Sequence, residues 1–229
     1  MMQPISPHVW MWQEIHGEAR GEPYPWNSYV IDVPDWDILA LVDPLDMSED
    51  VAQEIEHIGT PTHILLTCDY HLRSSETYRK RWGCKIWVNE AEVDRYDVAI
   101  DGTFLDGQRL WNFIELIFVP GVKFLETAFR MGENRNVLIM GDLLAGERKD
   151  QGIPKDALAI CGPQYIPDLR QARHSLSRLL DYEFEVMCFA HGTPVWEGAK
   201  EKLERYLNDD QIWQVLEDVK QVRGPQVRD

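Results

Sequence analysis

Potential metal ligands directly follow three short apolar runs in this sequence. Runs of this kind are typical of buried strands. Imidazole and carboxylate groups that leave several strand ends at one sheet edge share a rigid frame, where they can bind a metal ion or form a hydrogen-bonded polar cluster. The runs are 63–66 before Thr67-Cys68-Asp69-Tyr70-His71, 137–140 before Gly141-Asp142, and 186–189 before Ala190-His191-Gly192. His71, Asp142 and His191 are therefore the first candidates for metal ligands.

Each of these residues taken singly is more typical of a turn than of a site. A Gly-Asp pair after a strand usually caps backbone groups, and a His-Gly pair is usually part of a loop. The recurrence of the same design after three separate strands favours a common site.

The elements that position these residues alternate between strands and helices. Ser48 is a helix N-cap signal before an apolar stripe that Gly59 closes, and Asp168 is a second N-cap signal. Strands separated by helices predict parallel neighbours with crossover connections. Predicted strands span 8–15, 27–33, 38–42, 63–66, 85–88, 104–105, 110–119, 125–130, 137–140 and 184–189, with turns at 34–35 and 133–136.

The two halves of the chain predict one architecture. Each half combines a mixed sheet with helices, and no segment rich in Gly, Pro or Ser separates them. We therefore expect an α/β (α+β) fold, a four-layer αββα sandwich, in a single domain over residues 1–222. Residues 223–229 are expected to form a frayed tail.

Five blocks of the sequence occur in an order that is typical of one family. They are NSYVIDVPDWDILALVDP, HILLTCDYHLRSS, FVPGVKF, VLIMGDLL and CFAHGTPV. They resemble, in the same order, the Asn-x-Tyr strand pair ending in Asp, Thr-His-x-His-x-Asp-His, Pro-Gly-His, Gly-Asp and the terminal Gly-His-Gly of the metallo-β-lactamase superfamily. The resemblance covers nearly the whole chain and implies the same αββα sandwich and a metal-dependent hydrolase.

The sequence departs from the family pattern at one of the two metal positions. The His-x-His pair is absent, and Val122 stands where the family has the His of Pro-Gly-His. His71, Asp142 and His191 survive by position. The resemblance then implies at most one bound metal, and Val122 is expected to fill the space beside the remaining ligands.

The segment from Cys68 to His71 offers further ligands. Asp69 can replace the carboxylate that the family places where Tyr70 stands, and Cys68 can supply a thiolate if the loop bends inward. In an extended segment, Cys68 and Tyr70 point one way while Asp69 and His71 point the other. The pairing of Asp69 with His71 fits the surviving ligands better, so the expected metal set is Asp69, His71, Asp142 and His191.

Two functions remain open at this point. In the first, one divalent metal, zinc before iron, polarises a small ester, thioester or related substrate. Asp69 then takes up a proton and Tyr70 donates to the developing oxyanion, although Tyr70 could equally be a packing residue. In the second, no metal is bound, and the protein binds a small ligand or partner without turnover.

The composition restricts the partners. Of 229 residues, 39 are Asp or Glu and 23 are Lys or Arg, which gives a net charge of −16. This charge disfavours nucleic acid and anionic lipid. No apolar run reaches the roughly 18 residues of a membrane span. A small-molecule substrate or ligand is the expected partner, and the oligomeric state stays open.

The N-terminus and the cysteines predict a cytoplasmic protein. MMQPISPHVWMW lacks a basic region and a small-residue cleavage site, and the four cysteines are scattered without a CxxC pair. In the polar loop 143–165, Arg148 and Lys149 could attract an anionic substrate, but a solvated charged loop is the preferred interpretation.

Overall fold

The fold is described from a computed structural model that covers residues 1–16, 24–132, 135–149, 152–155 and 157–223. It contains strands β1 (Gln3–Ser6), β2 (Val9–His16), β3 (Tyr24–Val33), β4 (Ile38–Val42), β5 (His63–Leu65), β6 (Lys85–Asn89), β7 (Gly102–Phe104), β8 (Arg109–Leu110), β9 (Ile114–Val119), β10 (Glu126–Met131), β11 (Val137–Ile139), β12 (Leu144–Ala145), β13 (Ala159–Ile160) and β14 (Val186–Cys188). The α-helices are α1 (Glu49–Ile58), α2 (Ser75–Trp82), α3 (Leu169–Arg178), α4 (Ala199–Asn208) and α5 (Asp210–Arg223).

The first sheet has seven strands in sequence order from β1 to β7. Strands β1 to β4 are antiparallel, whereas β4 to β7 run parallel. Helices α1 and α2 make the crossovers between β4, β5 and β6, as the alternation of strands and helices predicts. Ser48 caps α1 by accepting a hydrogen bond from the backbone N–H of Val51.

The second sheet has the order β14-β11-β10-β9-β8. Its β14 and β11 are parallel, and the other neighbours are antiparallel. The carboxyl ends of β11 and β14 therefore lie side by side, and so do those of β4 and β5 in the first sheet.

Three apolar clusters separate four layers. One joins α1 and α2 to the first sheet, with Val51, Ile55 and Tyr78 against strand residues such as Ile64. A second lies between the two sheets. The third joins the second sheet to α3, α4 and Trp213 of α5. The αββα sandwich expected from the sequence is therefore confirmed.

Several local expectations differ from the structure. The strand expected over 110–119 is a hairpin of β8 and β9, because Trp111 and Asn112 adopt left-handed φ values of 49° and 55° and turn the chain. Strand β1 is an addition to the predicted strands, and the loop 143–165 contains the β12–β13 ribbon. Of the turn expected at 133–136, residues 133 and 134 lie outside the described residues, as do 224–229 of the expected tail.

In the described residues, no helix is both long and apolar enough to cross a membrane.

Candidate metal centre

The centre is built on the ends of two neighbouring strands in each sheet. Asp43 directly follows β4, and Thr67 follows β5. Asp142 and His191 each stand three residues after a strand of the second sheet, β11 and β14. Parallel neighbours end at the same sheet edge, so these four side chains share one end of the sandwich.

Asp142 and two histidines form the centre of the site. The Nε2 atom of His71 lies 3.0 Å from Oδ1 of Asp142, and the Nε2 atom of His191 lies 2.9 Å from the same oxygen. The three residues that follow the three apolar runs are thus brought together at one carboxylate oxygen.

His71 is oriented by groups on its far side. Its Nδ1 donates to Oδ2 of Asp43 at 2.9 Å, and Thr67 donates to the same carboxylate through its backbone N–H at 2.8 Å and its hydroxyl at 2.6 Å. Asp43, Thr67 and His71 are all buried. This arrangement fixes the ring of His71 and directs Nε2 toward Asp142.

The segment before His71 is a short 3₁₀ helix, Asp69–His71, rather than extended chain. Residues three apart in a 3₁₀ helix lie above one another, so Cys68 and His71 share a side. The Cys68 sulfur and single ligand atoms of His71 and Asp142 accordingly lie within 4.8 Å of one another. In an extended segment the Cys68 side chain would point away from that of His71. In the 3₁₀ helix it is a member of the cluster.

Asp69 and Tyr70 are not brought into the cluster. Asp69 points to another side of the 3₁₀ helix and pairs with Arg95, whose Nη1 lies 3.1 Å from Oδ2. Tyr70 is 53% exposed, and its ring packs 5.6 Å from that of Phe124, measured between centroids. The helical turn is the physical reason why the expected pairing of Asp69 with His71 is absent. The catalytic roles of Asp69 and Tyr70 stay predictions.

The electrostatics of the cluster favour a positive charge at its centre. Burial and the charge of Arg73 would lower the pKa of His71, but the neighbouring carboxylates of Asp142 and Asp43 hold it well above its usual value. Burial alone would raise the pKa of Asp142, yet the charge of His71 and hydrogen bonds from His191 and His71 hold it well below its usual value. His71 can thus donate one proton to each of two carboxylates.

Buried polar groups hold the Asp142 loop. Glu126, on β10, accepts from the backbone N–H groups of Gly141 at 3.0 Å and Leu143 at 2.7 Å, on either side of Asp142. Burial raises the pKa of Glu126 to about 7 despite these two bonds. A Cβ at Gly141 would lie 2.7 Å from Oγ1 of Thr67, so the loop approaches the end of β5 closely.

The His191 loop is held by the opening hairpin. Asn27 donates through Nδ2 to the carbonyls of Phe189 and Gly192, both at 2.8 Å, and the Tyr29 hydroxyl donates to the Phe189 carbonyl at 2.5 Å. Strand β3 thus places His191 by contacts on either side of it.

The comparison of the chain with known proteins identifies its family. A sequence model of the metallo-beta-lactamase superfamily matches residues 3–205. The chain belongs to this superfamily. No curated protein matches its sequence.

Solved structures show the same superfamily fold at low sequence identity. The DIM-1 metallo-beta-lactamase is 12% identical, with a TM-score of 0.65 over 90% of this chain and 97% of its own. A metallo-beta-lactamase from Hirschia baltica is 14% identical, with a TM-score of 0.64 over 91% and 96%. The flavodiiron core of Flv1 from Synechocystis sp. PCC6803 is 14% identical, with a TM-score of 0.67 over 92% of this chain and 61% of its own.

The side chains at this centre offer donor types that transition metal ions bind, and Cys68, His71 and Asp142 form a cluster that could hold one. Metallo-β-lactamase superfamily members bind divalent metals, zinc or iron. Cys68, His71, Asp142 and His191 supply sulfur, nitrogen and oxygen donors of the kinds that zinc binds. Asp43 accepts a hydrogen bond from Nδ1 of His71, and a carboxylate partner of this kind is usual for a metal-bound histidine. His191 departs from that pattern, because its buried Nδ1 has no hydrogen-bond partner among the described residues.

Val122 follows the Pro120-Gly121 turn and is buried. It is buried in the same apolar cluster as Cys68, Phe124 and Ala172. A valine side chain offers no ligand atom, so this cluster provides packing where the superfamily pattern has a histidine.

Four residues that support the centre carry no clear signal in the sequence. Asp43 and Asn27 stand in the opening hairpin, but from the sequence Asp43 has only the pattern of a strand-ending turn. Glu126 opens strand β10, whose sequence ETAFRM also holds Thr127 and Arg130, so the pattern does not single out this carboxylate. Arg73, two residues after His71, donates through Nη1 to the carbonyls of Asn27 and Asp43, both at 2.9 Å, and no sequence pattern indicates these contacts.

Proposed function

We propose that this metallo-β-lactamase superfamily protein is a hydrolase of small ester, thioester or related substrates that depends on a single metal ion. The observation that carries the proposal is the convergence of both Nε2 atoms on Oδ1 of Asp142, beside the Cys68 thiol. Ligand type favours zinc, because a thiolate and imidazoles suit zinc better than magnesium or calcium. Iron is the second choice.

The burial of the site residues distinguishes a closed side from an open side of the proposed metal site. Cys68 and His71 are buried and would form the closed side of the metal site. The side chains of Asp142 and His191 are 18% and 16% exposed, so a substrate would approach on their side. Asp43 and Thr67 would keep the ring of His71 fixed during turnover.

The metal, when bound, supplies a Lewis acid that polarises the substrate carbonyl and lowers the pKa of a water molecule. Burial raises the pKa of the Tyr70 hydroxyl above its usual value, so at neutral pH it is a hydrogen-bond donor. We propose that the hydroxyl of this exposed side chain donates to the substrate's carbonyl oxygen. Asp69, paired with Arg95, is left out of the metal set and Cys68 takes its place.

A test combines metal content with turnover. The protein purified without added metal should contain about one zinc ion per chain and hydrolyse at least one member of a panel of simple esters, thioesters and lactones. His191→Ala should lose both properties, because the remaining ligands hold a catalytic ion poorly.

The matched control is His57→Ala, which removes an exposed histidine of α1 on the outer face of the first sheet. It should keep wild-type metal content and rate. Protein without metal or turnover would favour the alternative of a ligand-binding protein, and turnover that survives His191→Ala would refute the assignment of this centre.

A further inference from the structure

A second 3₁₀ helix, Glu90–Arg95, begins next to the segment that leads to Cys68. The residue before this helix, Asn89, caps it and donates through its side-chain amide to Oγ1 of Thr127 at 2.9 Å. The backbone N–H of Thr127 in turn donates to the carbonyl of Thr67 at 2.8 Å. Since Thr67 directly precedes Cys68, these two hydrogen bonds hold the start of the helix beside the centre.

Arg95 joins the same helix to Asp69. Its Nη1 lies 3.1 Å from Oδ2 of Asp69 and donates to the carbonyl of Lys123 at 2.7 Å. Side chains three residues apart lie above one another in a 3₁₀ helix, so Glu92 occupies the same side as Arg95. Glu92 therefore lies on the side of the helix that faces Asp69.

Two buried carboxylate oxygens have no partner in this arrangement. Oε1 of Glu92 and Oδ1 of Asp69 are both closed off from solvent, and neither has a hydrogen-bond partner among the described residues. The whole Glu92 residue is buried. Two neighbouring buried carboxylates would be costly, because each loses its hydration and their like charges repel.

A single proton removes both costs. A protonated carboxyl group is a hydrogen-bond donor, whereas an ionised one only accepts. Burial and the charge of Asp69 raise the pKa of Glu92, so this residue keeps its proton at neutral pH. A water molecule or a cation in place of the proton would need space beside two oxygens that are closed off from solvent.

We propose that the protonated carboxyl of Glu92 donates to Oδ1 of Asp69 and that this acid pair fixes the helix Asp69–His71, which directs Cys68 toward the metal. Glu92 is then a positioning residue that contacts neither metal nor substrate. The proposal rests on the single-metal hydrolase proposed above. It gives Asp69 a supporting role, with Arg95 at one oxygen and Glu92 at the other.

Infrared spectroscopy of the metal-free protein tests the acid pair itself. The C=O stretch of a protonated carboxyl is separate from the bands of carboxylates and amides. The wild type at neutral pH should therefore show a band that is absent in Glu92→Gln. Glu90→Gln, at an exposed position in the same helix, should keep this band. If wild type and Glu92→Gln have the same spectrum in this region, Glu92 carries no proton and the proposal is overturned.

Two substitutions separate hydrogen-bond donation from packing. In Glu92→Gln the side-chain amide can still donate to Oδ1 of Asp69, whereas Glu92→Leu has a similar size and no donor. Hydrogen exchange in the metal-free protein reports on the short helix, because the backbone N–H of His71 donates to the carbonyl of Cys68 at 3.1 Å. We expect this N–H to exchange at least about fivefold faster in Glu92→Leu and at the wild-type rate in Glu92→Gln.

Cobalt bound in place of zinc reports on Cys68 through the thiolate-to-cobalt charge-transfer band. Glu92→Gln should match the wild type in this band and in cobalt affinity. Glu92→Leu should bind cobalt about tenfold more weakly and show a weaker band. Glu90→Leu makes the same change at an exposed position and should match the wild type. Circular dichroism confirms that each variant is folded.

The positioning role is overturned if Glu92→Leu keeps both the wild-type exchange rate and the wild-type cobalt affinity, or if Glu92→Gln is as impaired as Glu92→Leu. A wild type that binds no cobalt would instead overturn the metal centre of the proposed hydrolase. The infrared band and the exchange rates are measured without metal. Failure of the proposed function and failure of the acid pair are therefore distinguishable.

Discussion

At the scale of single residues, the choice between Cys68 and Asp69 decides the donor set. The two are adjacent in sequence, but the 3₁₀ helix directs Cys68 to the His71 side and leaves Asp69 with Arg95. Burial raises the pKa of the free Cys68 thiol to about 12, so without metal this thiol is neutral. A bound metal ion would deprotonate it, because coordination stabilises the thiolate.

We therefore expect Cys68→Ser to lower zinc content and Asp69→Asn to leave it unchanged, as measured by elemental analysis after gel filtration. Cys84→Ser is the matched control, because Cys84 is also buried but donates only to the carbonyl of Pro61. Loss of zinc in Asp69→Asn with retention in Cys68→Ser would restore the ligand set expected from sequence.

Asp43 tests the support of His71 without touching the proposed ligands. Asp43→Asn keeps the size of the side chain but removes the charge that holds Nδ1 of His71. Supporting contacts of this kind typically contribute about 10- to 100-fold in metal affinity. We expect a zinc dissociation constant weaker by that factor in a chelator competition. Asp46→Asn, at an exposed position three residues on, should match the wild type.

At the scale of elements, the turn between β9 and β10 depends on its glycine. Gly121 has φ +111°, and a Cβ there would lie 2.4 Å from the backbone nitrogen and 2.7 Å from the Cα of Ala172 in α3. Backbone atoms of a packed helix cannot move aside cheaply. The close approach thus fixes the distance between the β9–β10 turn, which carries Val122, and the helical layer.

Gly107→Ala provides a control that separates backbone strain from this clash. Gly107 has φ +74°, but a Cβ there would point into open space, with no contact within 4 Å from the rest of the described chain. We expect Gly107→Ala to cost roughly 1–2 kcal/mol of unfolding free energy. Gly121→Ala should cost about 1–3 kcal/mol more. Urea unfolding of both variants measures the difference in unfolding free energy. If both variants lose the same amount, α3 moves aside to accommodate the added Cβ.

The 3₁₀ helix Glu90–Arg95 carries a buried acid beside the centre. Burial, together with the charge of Asp69, raises the pKa of Glu92 from 4.5 to about 9. Between pH 4.5 and about pH 9, Glu92 therefore keeps its proton in the folded state but has released it in the unfolded state. Stability therefore falls as pH rises, by up to about 1.4 kcal/mol per pH unit.

Glu92→Gln removes the titrating group, so the unfolding free energy of the variant should fall less steeply between about pH 5 and pH 9. Near pH 9 the variant should be more stable than the wild type. Glu90→Gln, at an exposed neighbouring position, should keep the wild-type slope. Chemical unfolding at several pH values tests this, and identical slopes in wild type and Glu92→Gln would contradict the buried, protonated acid.

At the scale of the whole molecule, the sequence predicts the layers and strand ends better than the local geometry of the site. Strands of the αββα sandwich are buried, so they appear in the sequence as apolar runs. His71, Asp142 and His191 follow the ends of such runs and could therefore be predicted. The position of Cys68 could not, because it depends on one backbone bond, from the His71 N–H to the Cys68 carbonyl at 3.1 Å. Likewise, Asp43 acquires its role only when β4 pairs with β5.

The centre also joins the two sheets. Asp43 and His71 follow strands of the first sheet, whereas Asp142 and His191 follow strands of the second. A metal held by His71, Asp142 and His191 would therefore link both halves of the sandwich. Such a site exists only in the folded chain, so metal binding must add to the free energy of unfolding.

Zinc should accordingly raise the melting temperature of the chelator-treated wild type. The stabilisation should approach about 2.7 kcal/mol when free zinc is 100 times its dissociation constant. Magnesium should have little effect, because it prefers oxygen ligands. His191→Ala should lose the zinc response while His57→Ala keeps it, which separates binding at this centre from zinc bound at surface histidines. If zinc leaves the wild-type melting temperature unchanged, or raises that of His191→Ala equally, then no metal links the two sheets at this position.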